Sequence, residues 1–179
     1  MKKSKSLITI AILIALSAAL DLFAVVSFPG GFHTVSSFYL SAAFYMLFVY
    51  VWGWKGLISI YFGMILASMF GGFSLFPLYG AWGNTLGAAL IVYGMKLLKR
   101  SCEIKNWKDL LCISVFFLLA SALSGVWVLG GWVVVGIIPA EAFKGALFTW
   151  WLGDVMVYFV LGIALMKFVA PLAKRFNLN

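Results

Sequence analysis

The chain has 179 residues, of which 65% are hydrophobic and only 10% charged, with a mean hydropathy of +1.11. A soluble domain carries about 25% charged residues, so the composition excludes a water-soluble globular domain and points to an integral membrane protein. Thirteen Lys and Arg stand against five acids, a formal net charge of +8. The bases cluster between apolar runs, which suits membrane topology better than nucleic-acid binding. Cys102 and Cys112 form no disulfide framework or Cys/His metal spacing, and His33 is the only histidine.

Met1-Lys2-Lys3-Ser4-Lys5-Ser6 is a short basic start, followed by the first apolar run, Leu7 to Phe28. Ala18-Ala19 is a weak cleavage site and the run continues past it, so a retained first span is expected rather than a signal peptide. Ala11, Ala15 and Ala19 recur every four residues, and such a small-residue stripe lets another helix approach closely. Asp21 lies about 120° around the helix from Ala15. One helix thus offers a docking face and a polar face, unless the alanines serve internal packing and Asp21 is a hydrogen-bonded acid near the membrane edge. Pro29-Gly30-Gly31-Phe32-His33-Thr34 reads as a loop, with His33 either a solvated loop residue or a ligand contact.

A second span is expected over about 37–52, with Gly53-Trp54-Lys55-Gly56 as a tight turn, and a third over about 57–70. Ser59, Gly63, Ala67 and Gly71 repeat the four-residue stripe. After the loop 71–77, a fourth span over about 78–98 contains Gly83-Asn84-Thr85-Leu86-Gly87. This GxxxG pair sits beside an amide that needs a partner inside the membrane. Asn84 is either a ligand group or interhelical glue. A polar loop follows through Asp109. The stretch 110–138 exceeds the ~20 residues of a simple span. Either Gly130-Gly131 bends it or its last part lies at the interface, so the conformation of 126–145 is left open. Residues 139–145 read as the last external loop. The sixth span runs from Ala146 to Ala170 and carries Thr149-Trp150-Trp151-Leu152-Gly153-Asp154. An acid there must face protein or water. Trp150 shares its face and Trp151 flanks it. An aromatic wall beside a carboxylate grips a small ligand, or else forms an interfacial tryptophan pair above a structural acid.

The expectation is an all-α, polytopic membrane protein, one six-helix domain over 1–179, embedded in a cell membrane. Six spans put both termini on one side together with nearly all the bases. Only Lys144 falls opposite, which places the termini in the cytoplasm. Counted at ~1.5 Å per residue, Asp21, Asn84 and Asp154 lie roughly 9–12 Å below the outer surface. This common depth suggests one outward-opening pocket with Trp82, Trp127, Trp132, Trp150 and Trp151 as walls, suited to a cationic or ring-bearing solute. The competing arrangement is a sealed network in which Asn84 satisfies a protonated Asp154.

In size, span number, cytoplasmic termini and the stripe Ala11/Ala15/Ala19, the chain resembles the substrate-binding S component of energy-coupling factor (ECF) transporters. That resemblance implies a docking role for the stripe, toward a transmembrane coupling subunit driven by two ATPases. It also implies a ligand site at the loop after helix 1 and the outer ends of helices 4 to 6, taking a vitamin or related micronutrient. Gly83-Asn84-Thr85-Leu86 and Thr149-Trp150-Trp151-Leu152-Gly153-Asp154 resemble the membrane-associated sensor domain that precedes bacterial histidine kinases and diguanylate cyclases. That family has more spans and normally a cytoplasmic output module, which this sequence does not show. Both resemblances imply a small-molecule-binding helical bundle without a cofactor. No GxxxxGK[ST] loop, nucleophile–base pair or His-rich metal set argues for an enzyme.

Overall fold

The computed structural model describes residues 2–26, 39–70 and 76–175. All regular structure among them is helical: α1 (Lys2–Val26), α2 (Ser41–Trp52), α3 (Trp54–Met69), α4 (Phe76–Leu97), α5 (Trp107–Val134), α6 (Phe143–Val157) and α7 (Ala170–Arg175). A single 3-10 turn, Ala140–Ala142, leads into α6. Between α6 and α7 the helix widens into two π-helical stretches, Tyr158–Gly162 and Leu165–Val169. Ala140–Arg175 is therefore one rod of 36 residues. His33 with the rest of its loop, and residues 71–75, lie outside the described residues.

Among the described residues three stretches are long and apolar enough to cross a membrane: Ser4–Phe23, Trp107–Val134 and Ala140–Arg175. α2 and α3 are apolar but have only 12 and 16 residues. At ~1.5 Å per residue they fall short of a hydrocarbon layer about 30 Å thick. The exterior is apolar: Leu7, Ile12, Phe62, Leu119, Phe148 and Val160 are among many large hydrophobic side chains left exposed. A soluble protein does not present so much apolar surface to water, whereas lipid accepts it.

α2 is the shortest of the early helices and the most enclosed, with eight of its twelve residues buried. It touches α1, α3, α4 and the α6–α7 rod, while α1 packs on α3, α3 on α4, α4 on α5 and α5 on α6. Met46 and Leu47 join a core with Met95, Phe117 and Tyr158. Tyr45, Phe48 and Val49 join a second core with Leu13, Ile60 and Val92. The expected four-residue turn between α2 and α3 is in fact one residue. Gly53, at φ 58°, breaks the helix, and α3 starts at Trp54. A φ in this region is open to glycine and strained for other residues.

Small residues set the spacing of the bundle, as their periodicity suggests. A Cβ on Gly56 would run into the backbone of Phe48 and Val49, and one on Gly63 into Ser17 and Ala18 of α1. Gly83 and Gly87 place α4 on the Ala120–Ser124–Val128 face of α5, with a Cβ on Gly87 only 3.3 Å from the Ala120 carbonyl oxygen. α5 passes through Gly130-Gly131 without interruption and ends at Val134, so the glycine pair does not break it. The expected loop 139–145 is shorter than anticipated, because α6 begins at Phe143.

The polar connection between α4 and α5 is folded against the ends of α2 and α7. α4 closes with Lys99 at φ 53° and a hydrogen bond of 2.9 Å from the Arg100 N–H to the Met95 carbonyl, a Schellman arrangement with lysine at the left-handed position. Asn106 caps α5 by accepting the Asp109 N–H at 3.0 Å, and Asp109 accepts the Lys105 N–H in return. Tyr50 donates to Glu103 at 2.7 Å, Lys105 lies 3.5 Å from the same carboxylate, and Lys174 lies over the Tyr50 ring. The Tyr50 hydrogen bond, aided by Lys105 and Lys174, holds the Glu103 carboxyl below the usual carboxylate range. Burial pushes the adjacent Cys102 thiol up to about 11, so this cysteine is an inert core residue.

Two outcomes follow. Gly63→Leu forces α1 and α3 apart and lowers stability by about 1–3 kcal/mol. Gly130→Ala, where a Cβ meets nothing within 4 Å, leaves stability unchanged or slightly higher. Unfolding of both variants in detergent checks this pair. For Glu103, whose carboxyl is lowered in the folded chain, the stabilising contribution is present above the ordinary glutamate range and is lost as pH falls through the lowered value. Tyr50→Phe returns the Glu103 titration toward the ordinary range, as read by carboxyl NMR.

Candidate functional site

Buried hydrophilic side chains of the helices form two adjoining groups. The first is built on α4, α5 and α6. GxxxG packing brings α4 close enough for Ser124 of α5 to donate to the Asn84 amide oxygen at 2.6 Å. One turn earlier on α5, Ser121 donates to Asp154 Oδ2 of α6 at 2.7 Å. Asn84 also directs its amide N–H at the Met64 sulfur, 3.3 Å away, a weak contact. Asn84 is 7% exposed and Asp154 5%.

Asn84, Ser121, Ser124 and Asp154 line one cavity, with Tyr45 and Met46 of α2 and Phe117 of α5 completing its wall. The cavity measures about 30 Å³, room for a water or two. Asn84 and Asp154 thus line the same cavity. They do so through separate serines: each is satisfied by its own hydroxyl on α5, and no Asn84–Asp154 hydrogen bond occurs.

The second group belongs to α1 and the start of α2. Asp21 is 4% exposed. Its Oδ1 accepts from the Tyr39 hydroxyl at 2.7 Å and the Tyr45 hydroxyl at 2.5 Å, and the two phenol oxygens are 2.8 Å apart. Asp21 is not a wall of the cavity, which corrects the expectation of one cup shared by three helices. The two groups are joined by Tyr45, whose hydroxyl meets Asp21 and whose side chain lines the cavity. Tyr39 makes a further link, its ring lying 6.3 Å from that of Trp150.

The tryptophans do not wall the cavity as expected. Trp82 is 47% exposed and packs on Tyr61, their ring centres 4.9 Å apart. Trp127 stacks on Tyr79 at 4.9 Å and donates to its carbonyl oxygen. Trp151 donates to the Leu118 carbonyl oxygen at 3.2 Å, stapling α6 to α5. Trp132 is half-buried near the end of α5. Trp150 comes nearest, its ring against Gly125 one turn before Asp154. Its indole nitrogen is buried and finds no acceptor in hydrogen-bond geometry. The aromatic rings thus serve mostly as interhelical clamps, because indole and phenol rings fill the gaps opposite small residues. Ala11, Ala15 and Ala19 are exposed, on the opposite side of α1 from Leu13, Ser17 and Asp21. They take no part in internal packing.

Sequence reasoning passed over Ser121, Ser124, Tyr39 and Tyr45. The spacing Ser121-x-x-Ser124 midway along an apolar helix was the available signal, since i and i+3 share a face. The tyrosines carried none, being indistinguishable from membrane-edge aromatics.

The chain matches no family model, no curated protein and no solved structure. Fold and site together define it as a helical protein that has, among the described residues, three helices long and apolar enough to cross a membrane and a small cavity between α2, α4, α5 and α6 onto which a few polar side chains open.

Ser124→Ala leaves the buried Asn84 oxygen without its donor and costs about 1–3 kcal/mol. The already buried, partnered hydroxyl of Thr85, which donates only to its own helix at Ala81, gives the control: Thr85→Ala costs less. Thermal unfolding of the two variants in detergent gives the comparison.

Proposed function

We propose that this protein is a small-molecule-binding membrane subunit, of the type that captures a scarce nutrient for an ECF-type importer. It is read as a six-span bundle in the cell membrane with both termini cytoplasmic. The carrying observation is the cavity on which Asn84, Ser121, Ser124 and Asp154 converge from three helices. A few polar groups on a largely apolar lining is the pattern of a ligand site. The buried indole N–H of Trp150 stands beside the Asp154 carboxylate, just outside hydrogen-bond geometry. At about 30 Å³ the cavity must widen for a vitamin-sized solute. Movement of the short α2 against α4 and α6 is the economical route, because α2 forms one wall. The exposed alanine stripe of α1 supports the docking of a transmembrane coupling subunit. The two ATPases of such an importer supply the energy, and this chain acts as a binding subunit rather than an enzyme.

A second reading is a membrane sensor, whose partner is a kinase or cyclase. It is favoured by the position of Asn84 and Asp154, the polar residues of the two sensor-like motifs, at the same cavity. Co-purification separates the two: coupling subunit and ATPases in one case, a signalling enzyme in the other.

Native mass spectrometry of the purified protein is expected to reveal a retained small molecule that Asp154→Ala loses while the variant stays folded. Equal retention by the variant would refute the role of Asp154. Ala15→Trp is expected to spare ligand binding and block uptake; normal uptake in that variant rules out docking through α1.

A further inference from the structure

The contacts among Asp21, Tyr39 and Tyr45 outnumber the phenol protons that can fill them. Ionised Asp21 and two phenols supply two protons for three oxygen–oxygen contacts of 2.7, 2.5 and 2.8 Å. Asp21 Oδ2, Ser17 Oγ and Ser41 Oγ are also buried, and none has a hydrogen-bond partner. Ser17 and Ser41 are both 0% exposed. The Ser41 hydroxyl stands beside the Asp21 carboxylate and the Ser17 hydroxyl beside that of Tyr45, each outside good hydrogen-bond geometry. Leaving such groups unpaired in an apolar interior is unfavourable.

Among the described residues no basic side chain pairs with Asp21. The ion pairs among the described residues are Arg100–Asp109 and Lys105–Glu103, both in the α4–α5 connection. A buried carboxylate surrounded by hydroxyl oxygens, with no nitrogen, sulfur or second acid in the group, is a hard, singly charged oxygen donor set. Divalent metals draw on more carboxylates or on imidazole, and no group of three His, Cys, Asp or Glu occurs among the described residues.

We propose that Asp21, Ser17, Ser41, Tyr39 and Tyr45 form a binding site for a small monovalent cation, of which Na+ is the representative. The cation balances the one carboxylate charge and takes up the lone pairs of Asp21 Oδ2 and both serines. A proton on Asp21 would neutralise the charge and close the ring of three oxygens, yet leave the serine hydroxyls unpaired. Asp21 is on this account a cation ligand and not a contact for the organic solute. The site does not depend on the transport reading. Tyr45, shared with the cavity of α4, α5 and α6, is the contact through which the two sites would sense each other.

The test uses the whole purified protein in detergent, without organic ligand, in NaCl or in choline chloride of equal ionic strength. Na+ is expected to raise the unfolding midpoint by about 2–4 °C over choline, and NaCl titrated into the protein to give a saturable calorimetric signal. Asp21→Asn, nearly isosteric, is expected to abolish both. Ser41→Ala retains the acid and guards against misfolding of the first variant. It is expected to weaken Na+ binding about tenfold, with its midpoint in choline unchanged. Identical midpoints of the wild type in NaCl and choline, or a Na+ shift undiminished in both variants, would overturn the proposal. A protonated Asp21 produces the first of those results.

Discussion

In an apolar bundle a hydrogen-bonding side chain has no solvent to fall back on, and this protein is arranged around that constraint. Asp21, Asn84 and Asp154 sit on three different helices, each almost wholly buried. Unpaired, each would cost more than a typical packing contact returns. Their partners are hydroxyls: two tyrosines for Asp21, Ser124 for Asn84 and Ser121 for Asp154. Interhelical hydrogen bonds of this kind average about 0.6 kcal/mol in membranes, so they add little net stability. What they supply is register, because each bond forms only at one relative position of two helices.

Small residues make that register reachable. Gly83 and Gly87 let α4 lie against α5 so that Asn84 and Ser124 meet, and Gly63 lets α3 reach Ser17 and Ala18 on the face of α1 that carries Asp21. The π-helical widening at Tyr158–Gly162 belongs to the same scheme. It accompanies the full burial of Tyr158, which stacks on Phe117 and meets the Ser114 hydroxyl at 3.0 Å. π-Helical turns recur where a helix departs from regular packing for function, and this one lies directly after Asp154. α2 ties the arrangement together. It is short, enclosed and in contact with nearly every other helix, so any change in its position alters both the cavity and the Asp21 group.

Much of the fold was legible from residue order. The all-helical class, the small-residue stripes and most helix ends came from apolar runs and glycine or proline punctuation. Element ends were read less well where one residue does the work of a loop, as Gly53 does. Among the described residues three helices meet the length and hydropathy of a span. α2 and α3, with 12 and 16 residues, are too short for a full span yet read as spans from sequence, because burial inside a bundle and burial in lipid favour the same residues.

The amino-acid sequence by itself determined that the chain is apolar and helical, that hydrophilic groups are rare, and at what height along each helix they sit. Height follows from a fixed rise per residue, so it needs no knowledge of neighbours. Only the tertiary structure decided which of those groups face one another. Partnership depends on how far each helix is rotated and which helix lies beside it, and those are set by the packing of glycine, alanine and aromatic side chains across all the interfaces at once. Hence Asn84 and Asp154 came to share a cavity, Asp21 joined the tyrosines of α2, and the tryptophans that promised a binding wall became clamps between helices.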